Sequence, residues 1–187
     1  MEEIRRVAVL DPGSAMLRFI RDVFLFSCFT GLSYADIGRL TMRNFESSDG
    51  QLWLNTSRCK TGTSVSVRLF AVPRTILHNY APESNDVPIF RLPSNGWCNH
   101  CLERIMTLAG IHKRVTFHSA RHTFATTVTL AQGVAIETIG KLLGHKNIRT
   151  TQIYASVTHS HLRCELDRLE ERLESVSELD FIPKVLF

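Results

Sequence analysis

Hydrophobic positions recur with a helical period early in the chain, along AMLRFIRDVFLFSCFT, and the pattern stops at Gly31. Apolar residues three or four positions apart are typical of an amphipathic helix. A second, short helix is predicted over YADIGRL, in which Ile37 and Leu40 share one face. The turn signal SSDG and two alternating segments, QLWLN and SVSVRLF, then predict an antiparallel hairpin that turns near Thr61–Thr63.

The pattern beyond the hairpin is helical. A loop-rich middle contains one short predicted helix near RTILHNY, and WCNHCLERIMTLAG predicts an amphipathic helix that ends at Gly110. Three more helices are predicted over TFHSARHTFATTVTLAQG, AIETIGKLLG and IRTTQIYASV, the first begun by Thr116 and the last by Asn147. The fold class that follows is mainly α with a small antiparallel β-sheet.

The C-terminal part of the chain differs in charge from the rest. Residues 161–187 carry a net −3 while the whole chain carries +4, so residues 1–160 carry +7. A basic body favours a polyanionic partner, although an ordinary charged surface gives the same balance. We expect one domain over 1–160 and a tail helix over 161–187. The tail helix has an apolar stripe formed by Leu162, Leu166, Leu169 and Leu173.

Composition narrows the class of protein. With 44% hydrophobic and 21% charged residues, the chain can bury a sizeable core. No apolar run reaches the roughly 20 residues of a membrane span, and the N-terminus does not resemble a signal peptide, so we expect a cytoplasmic protein without membrane contact. The five cysteines are scattered, and Cys98 and Cys101 lack the further ligands of a zinc site. We therefore predict reduced thiols, a packing pair in a helix start and no metal.

The stretch HSARH carries the first candidate chemistry. His118 and Arg121 are three residues apart and share a helical face. His118 and His122 have the spacing of a zinc-protease helix, but Ser119 stands where that motif needs a glutamate, so we reject this interpretation. A proton-transfer group beside a permanent cation suits an anionic substrate such as phosphate. The alternative is a surface histidine and arginine at a helix start.

The stretch LLGHKNIRTTQIYA contains the second group of candidate catalytic residues. Gly144 ends one predicted helix, His145 lies in the corner that follows, and Tyr154 comes nine residues later in the next helix. A tyrosine hydroxyl is a poor nucleophile unless nearby cations stabilise its charge as it forms. The alternative is a buried structural tyrosine with a satisfied hydroxyl.

The same region also resembles a helix-turn-helix, with an apolar helix, a glycine turn and a polar second helix. On this interpretation the protein is a regulator whose second helix reads the major groove through Lys146, Arg149, Thr150 and Gln152. A regulator has no need for the histidine and arginine of HSARH, nor for a lysine on a distant hairpin.

Four stretches occur in an order that resembles the catalytic domain of the tyrosine recombinases, the phage-integrase family: TGLSYADI, a hairpin lysine, HSARH and LGHKNIRTTQIYA. The resemblance covers roughly residues 15–160. The amino-acid sequence of these stretches is most similar to integrases of Bacteroidetes mobile elements. The combined His-x-x-Arg, Leu-Gly-His and tyrosine spacing is specific, whereas T-G-L alone is weak.

The resemblance implies a role for each residue. Tyr154 attacks the scissile DNA phosphate and forms a 3′-phosphotyrosine, Lys60 protonates the leaving 5′-oxygen, and His118 assists proton transfer at the nucleophile. Arg121 and His145 bind the non-bridging oxygens. Such phosphoryl transfer needs charge stabilisation at several oxygens, and the resemblance implies neither metal nor ATP nor another cofactor. Further DNA contacts are expected from Arg43, Lys146, Arg149 and Thr150.

One position departs from the family pattern. An arginine normally follows T-G-L, whereas this chain has Ser33, which offers no permanently charged fork; Asp36 matches the acid that supports this motif. Loss of one such contact in a dry site costs on the order of 3 kcal/mol. Arg58 and Lys60 are two residues apart near a strand end, so we expect both on one face and Arg58 in place of the missing arginine. The alternative is that Arg58 contacts a neighbouring backbone phosphate.

The function expected from the resemblance is site-specific recombination of double-stranded DNA, for integration or excision of a mobile element. We expect a homotetramer on DNA and a monomer without it. Relatives carry an N-terminal clamp domain, which we expect this chain to lack. The tail stripe either docks on a neighbouring protomer, as in the family, or packs within the chain. Two other functions stay open: a helix-turn-helix-like regulator, and a recombinase derivative that binds DNA without cutting it.

Overall fold

The computed structural model of the chain describes residues 1–154, 166–167 and 169–173. The expected fold class, mainly α with a small antiparallel sheet, is confirmed. The α-helices are α1 (Glu2–Val9), α2 (Ala15–Thr30), α3 (Tyr34–Ile37), α4 (Ala71–Tyr80), α5 (Asn95–Leu108), α6 (Phe117–Thr123), α7 (Ile136–Leu143) and α8 (Arg149–Gln152). The strands are β1 (Phe45–Ser48), β2 (Gln51–Ser57) and β3 (Ser64–Arg68). Across the described ranges, no helix combines the length and apolar character that a membrane crossing requires.

Helix α2 forms the centre of the main core. Ser14 begins it by accepting a hydrogen bond from the Leu17 amide at 3.1 Å. Ile20, Val23 and Phe26 are fully buried, and the helix contacts α4, α5 and α6. Burial of a side chain of this size stabilises a fold by roughly 1.5–3 kcal/mol. Helix α2 is therefore the scaffold on which α6, with its HSARH stretch, is held.

The sheet has the strand order β1-β2-β3, and both strand pairs are antiparallel. Along β3, Val65 and Val67 are buried whereas Ser64 and Ser66 are exposed, so the alternation that predicted the hairpin separates a core face from a polar face. Helix α7 contacts β3, which brings the hairpin and the LLGH corner together. Strand β1 and helix α1 are elements that the sequence pattern did not indicate.

The single helix predicted from Thr116 to Gly133 is wrong in its second half. Helix α6 gives way to a π-helix over Phe124–Thr129 and a 3₁₀ turn over Leu130–Gln132. The buried Thr129 hydroxyl lies 2.9 Å from each of two carbonyls near the start of the π-helix, those of Phe124 and Ala125. A hydroxyl that bonds to backbone carbonyls inside a helix competes with the regular ladder, and this accounts for the wider turn.

The chain divides by its contacts into Met1–Tyr154 and Ala155–Phe187. In the second unit, residues 166–167 and 169–173 are helical, as expected for that stretch of the tail. Leu162 lies outside the described residues. The full leucine stripe and the expected domain boundary at residue 160 therefore stay predictions.

We expect Gly31→Ala to lower the free energy of unfolding by about 2–5 kcal/mol. Gly31 ends α2 with a φ of 67°, and an added Cβ would lie 2.5 Å from Cδ1 of Phe124. The left-handed backbone costs an alanine roughly 1–2 kcal/mol, and overpacking adds about 1–3 kcal/mol. Urea unfolding measures the loss.

Gly50 supplies the matched control for this substitution. Its φ is 70°, but no atom lies within 4 Å of an added Cβ. Gly50→Ala should therefore lower the free energy of unfolding only by the cost of the left-handed backbone. Equal losses at Gly31 and Gly50 would contradict the role of packing between Gly31 and Phe124.

Candidate active site

Ser33 and Asp36 form the start of α3. The Asp36 amide donates to the Ser33 hydroxyl oxygen at 3.3 Å and the Ser33 amide donates to Asp36 Oδ2 at 3.2 Å, which makes a capping box. The Ser33 hydroxyl also donates to Asp36 Oδ2 at 2.8 Å. Asp36 is only 4% exposed, and its Oδ1 accepts a hydrogen bond from the Cys59 amide at 2.8 Å. The serine that departs from the family pattern thus begins α3 and orients a buried carboxylate.

The buried partner of that carboxylate is Arg58, which is 5% exposed. Its Nη1 donates to Asp36 Oδ2 at 2.9 Å, and its Nη2 donates to the Leu142 carbonyl at 3.0 Å. Burial alone would raise the pKa of Asp36, but the Cys59 amide, the Arg58 guanidinium and the Ser33 hydroxyl outweigh it and lower that pKa to about 2. Burial lowers the pKa of Arg58, and the Asp36 carboxylate opposes this shift.

The expectation that Arg58 and Lys60 share one strand face is wrong. Strand β2 ends at Ser57, and the Arg58 carbonyl accepts hydrogen bonds from the amides of Thr61 and Gly62 in a tight turn. Because the chain leaves the strand at Arg58, the period-two alternation no longer applies. Arg58 points inward to Asp36, whereas Lys60 lies exposed in the turn.

Gly144 leaves room for the buried arginine. It ends α7 with a φ of 65°, and an added Cβ would lie 2.9 Å from Arg58 Cγ and 2.8 Å from Val65 Cγ1. The hairpin therefore packs directly against the backbone of the LLGH corner. Arg58 Nε is buried and has no hydrogen-bond partner among the described residues.

A second arginine reaches the same end of α7. Arg121 Nη2 donates to the Leu143 carbonyl at 2.7 Å, and its Nη1 donates to the Gly31 carbonyl at 2.9 Å. Arg58 and Arg121 thus bind the consecutive carbonyls of Leu142 and Leu143. The last carbonyls of a helix lack intrahelical partners and carry partial negative charge, which favours cations there.

The two guanidinium groups are close enough to repel each other. Burial, followed by the charge of Arg58, lowers the pKa of Arg121 to about 10, so Arg121 stays protonated at neutral pH. Arginine side chains do not deprotonate in proteins, so Arg58 is charged as well. Each terminal guanidinium nitrogen carries two hydrogens, and the bonds above use one of them. The pair is held in a fixed orientation, and its positive charge favours an anion near this end of α7.

His145 follows Gly144 and is fixed from one side by Thr151. Its Nδ1 lies 2.8 Å from the hydroxyl of Thr151, a side chain with 0% exposure. Burial, and then the charges of Arg121 and Arg58, lower the pKa of His145 to about 4. The ring is therefore neutral at physiological pH and can donate through only one of its nitrogens.

Tyr154 lies beside HSARH. It is 8% exposed and packs with Phe124 in a small second core. Its ring centroid is 5.2 Å from that of His122, and the His122 centroid is 4.6 Å from that of His118, both in edge-on contacts. Burial raises the pKa of Tyr154, and the positive charge of Arg121 opposes this, so the phenol is protonated at neutral pH.

The other predicted residues do not join this cluster. Lys60 has no hydrogen bond or ion pair to another side chain within the described ranges, and His118 is exposed beside His122. Arg43 forms an exposed ion pair with Asp86. The remaining predicted DNA contacts are exposed in or near α8: Lys146, Arg149 and Thr150.

Sequence reasoning missed Thr151 and the carbonyls of α7, and it considered His122 only as a zinc ligand, which it rejected. The carbonyls have no sequence signal. Thr151 had one, since it stands six residues after His145 and precedes Tyr154 by three. Cys98 and Cys101 are both buried in α5, which fits the packing pair, and burial raises the pKa of the Cys98 thiol to about 11. Residues 1–154, 166–167 and 169–173 hold no group of three or more His, Cys, Asp or Glu side chains placed for a metal ion.

Comparison with known proteins identifies the family of the chain. The model described as Phage integrase family matches residues 5–161. The chain belongs to that family. Tyrosine recombinase XerA of Thermococcus onnurineus (strain NA1) is 49% identical over 178 residues, which cover 87% of this chain and 58% of XerA. The chain thus spans little more than half of this relative.

Solved structures show the same fold at low identity. XerH site-specific recombinase bound to difH substrate, in a pre-cleavage complex, matches with a TM-score of 0.68 at 20% identity, over 88% of this chain and 51% of XerH. The catalytic domain of bacteriophage HP1 integrase matches with a TM-score of 0.60 at 20% identity, over 89% of this chain and 90% of that domain.

The Asp36–Arg58 pair predicts an acid-sensitive stability. The pKa of Asp36 is about 2 in the folded chain against an ordinary value of 3.8. A carboxyl whose pKa falls on folding stabilises the fold above its unfolded pKa, and this contribution is lost as the pH falls through the folded pKa. We expect this group alone to cost about 2 kcal/mol between about pH 4 and pH 2.

Asp36→Asn should make the free energy of unfolding less dependent on pH between about pH 4 and pH 2. At neutral pH it should also destabilise the fold by about 3–5 kcal/mol, because it leaves a buried guanidinium without its carboxylate. Asp86→Asn, which removes the exposed partner of Arg43, is the control and should change little. Urea unfolding from pH 2 to 7 measures all three proteins. Parallel profiles for the parent and Asp36→Asn below pH 4 would contradict the assignment.

Proposed function

We propose that this domain cuts and rejoins double-stranded DNA at specific sites through a covalent 3′-phosphotyrosine at Tyr154. One observation carries the proposal: Arg58 and Arg121 bind consecutive carbonyls at the end of α7, shortly before His145, and the charge of Arg121 acts on Tyr154. Two fixed cations, a neutral imidazole and a phenol suit a phosphodiester. Membership of the phage integrase family and the tyrosine recombinase names of its relatives support the same reaction class.

The proposed chemistry assigns one step to each group. The Tyr154 oxygen attacks phosphorus and loses its proton to His118, while the bond from phosphorus to the 5′-oxygen breaks. Lys60, reaching in from the exposed turn, gives a proton to that 5′-oxygen. Arg121 and His145 stabilise the charge on the non-bridging oxygens. Burial raises the pKa of Tyr154, so the attack needs groups that take up its proton and stabilise its charge as it forms.

Arg58 supplies the positive charge that Ser33 does not. Its guanidinium pairs with Asp36, the acid of the first motif, and lies near Arg121. At 5% exposure, a direct hydrogen bond from Arg58 to a phosphate requires the turn at 59–63 to shift, whereas its charge acts from its present position. The alternative, a contact of Arg58 with a neighbouring backbone phosphate, fits less well with a side chain so deeply buried.

Covalent trapping tests the reaction. We expect the chain to form a denaturation-resistant adduct on nicked suicide DNA made from the junction sequences of the element that encodes it. Tyr154→Phe should form none, because it lacks the attacking oxygen while keeping the ring. An adduct that persists in Tyr154→Phe, or its absence from the full-length protein on these junctions, would overturn the proposal.

A charge swap tests the assignment of Arg58. We expect Arg58→Ala to slow adduct formation by about 100-fold or more, in line with loss of one preorganised positive charge at the site. Adding Ser33→Arg to Arg58→Ala should restore part of the rate, because it returns a guanidinium to the same carboxylate. Arg58→Lys, which keeps charge without a fork, should be intermediate. Adduct formation by Arg58→Ala at the parent rate would contradict the assignment.

Ser33 also favours a second candidate, a recombinase derivative that binds DNA without cutting it. A helix-turn-helix-like regulator is the related alternative, because Lys146, Arg149 and Thr150 are exposed near α8. Both predict DNA binding with no covalent adduct. Binding that falls steeply with salt would be common to all these functions and so would not separate them.

The biological setting that we propose is integration or excision of a mobile element of the Bacteroidetes type. This setting is inferred from the amino-acid sequence of the motifs. Residues 1–160 would be the catalytic domain and 161–187 a tail helix that docks on a neighbouring protomer. The DNA-bound form would be a homotetramer, and the free chain a monomer. The solved complex of XerH with its difH substrate supports DNA as the partner class.

A further inference from the structure

Thr151 is the only described residue whose side chain forms a hydrogen bond with His145. The Thr151 hydroxyl has 0% exposure and no other hydrogen-bond partner in the part of the chain that the structure describes. A buried hydroxyl left without an acceptor costs about 1–3 kcal/mol. If His145 donated from Nδ1, the hydrogen of Thr151 would have no acceptor. The arrangement without an unsatisfied donor is the one in which Thr151 donates to Nδ1.

We propose that Thr151 is a positioning residue that holds His145 in the tautomer whose proton is on Nε2. The proposal rests on the proposed function, in which His145 donates to a non-bridging phosphate oxygen. A neutral imidazole has one N–H, so an Nδ1 that accepts leaves Nε2–H as the ring's donor. The assignment explains how a histidine crowded by Arg121 and Arg58, which disfavour a second positive charge, still presents a hydrogen to an anion.

Gly140 leaves space for the contact between Thr151 and His145. An added Cβ at Gly140 would lie 3.1 Å from Thr151 Oγ1 and 3.5 Å from Ile148 Cδ1. Helix α7 therefore packs closely against the Thr151 hydroxyl at Gly140. The His145 amide also donates to the Gly140 carbonyl at 3.0 Å, so the same residue fixes the backbone of His145 and leaves space for its partner.

Isosteric substitutions separate the hydroxyl from packing. Thr151→Val replaces the hydroxyl with a methyl group, whereas Thr151→Ser keeps the hydroxyl and loses a methyl group. Long-range ¹H–¹⁵N NMR of the full, DNA-free chain with labelled histidine reads the tautomer, with His145 assigned by His145→Gln. The parent and Thr151→Ser should show the proton on Nε2. Thr151→Val should show a mixture of tautomers.

Cleavage kinetics provide the second readout. On nicked suicide DNA, Thr151→Val should form adduct roughly tenfold more slowly, the effect of one ordinary hydrogen bond, while Thr151→Ser keeps most of the rate. DNA affinity should change little in both, because it depends mainly on other phosphate contacts. A tautomer on Nδ1–H in the parent, or a Thr151→Val chain with unchanged tautomer and rate, would overturn the proposal.

Gly140→Ala keeps the test decisive if Thr151→Val fails to fold. Like Thr151→Val, it should give a mixture of histidine tautomers, because an added Cβ 3.1 Å from Thr151 Oγ1 displaces the hydroxyl from Nδ1. A folded Gly140→Ala chain with the tautomer of the parent would overturn the proposal. Because the NMR readout needs no DNA, absence of any adduct in the parent would overturn the proposed function and leave the tautomer assignment to be decided separately.

Discussion

The candidate site depends on keeping two guanidinium groups close together inside the protein. Like charges repel strongly where water is excluded, and each loses hydration on burial. The structure offsets this with the carboxylate of Asp36 and with carbonyls that have no helical partner. The consecutive carbonyls of Leu142 and Leu143 take one arginine each, so one backbone step at the end of α7 sets how the two cations are spaced.

This arrangement joins segments that are distant in sequence. Arg58 comes from the end of β2 and Arg121 from α6, and both meet α7 where Gly144 allows close packing. On the proposed assignment, the charge at the site is preserved although its source has changed. Ser33 takes over the capping of α3 and leaves Asp36 able to accept a guanidinium from another element.

Periodicity predicted α2, α5 and the hairpin because burial alone sorts their side chains. The HSARH and LLGH stretches were found because their residues lie close in sequence. The inward direction of Arg58 was missed since it depends on β2 ending one residue earlier, and the π-helix was missed since it depends on a buried hydroxyl. The acceptors of Arg58 and Arg121 are backbone atoms, which leave no mark on the residue pattern and become visible only in three dimensions.

Three consecutive residues connect the surface of the hairpin to its interior. Asp36 holds Arg58 through one carboxylate oxygen and the Cys59 amide through the other, while Lys60 projects into solvent immediately afterwards. Asp36 therefore ties both Arg58 and the backbone next to Lys60 to α3. The buried ion pair and the exposed lysine share one anchor, so a substitution at Asp36 reaches the surface turn as well as the interior.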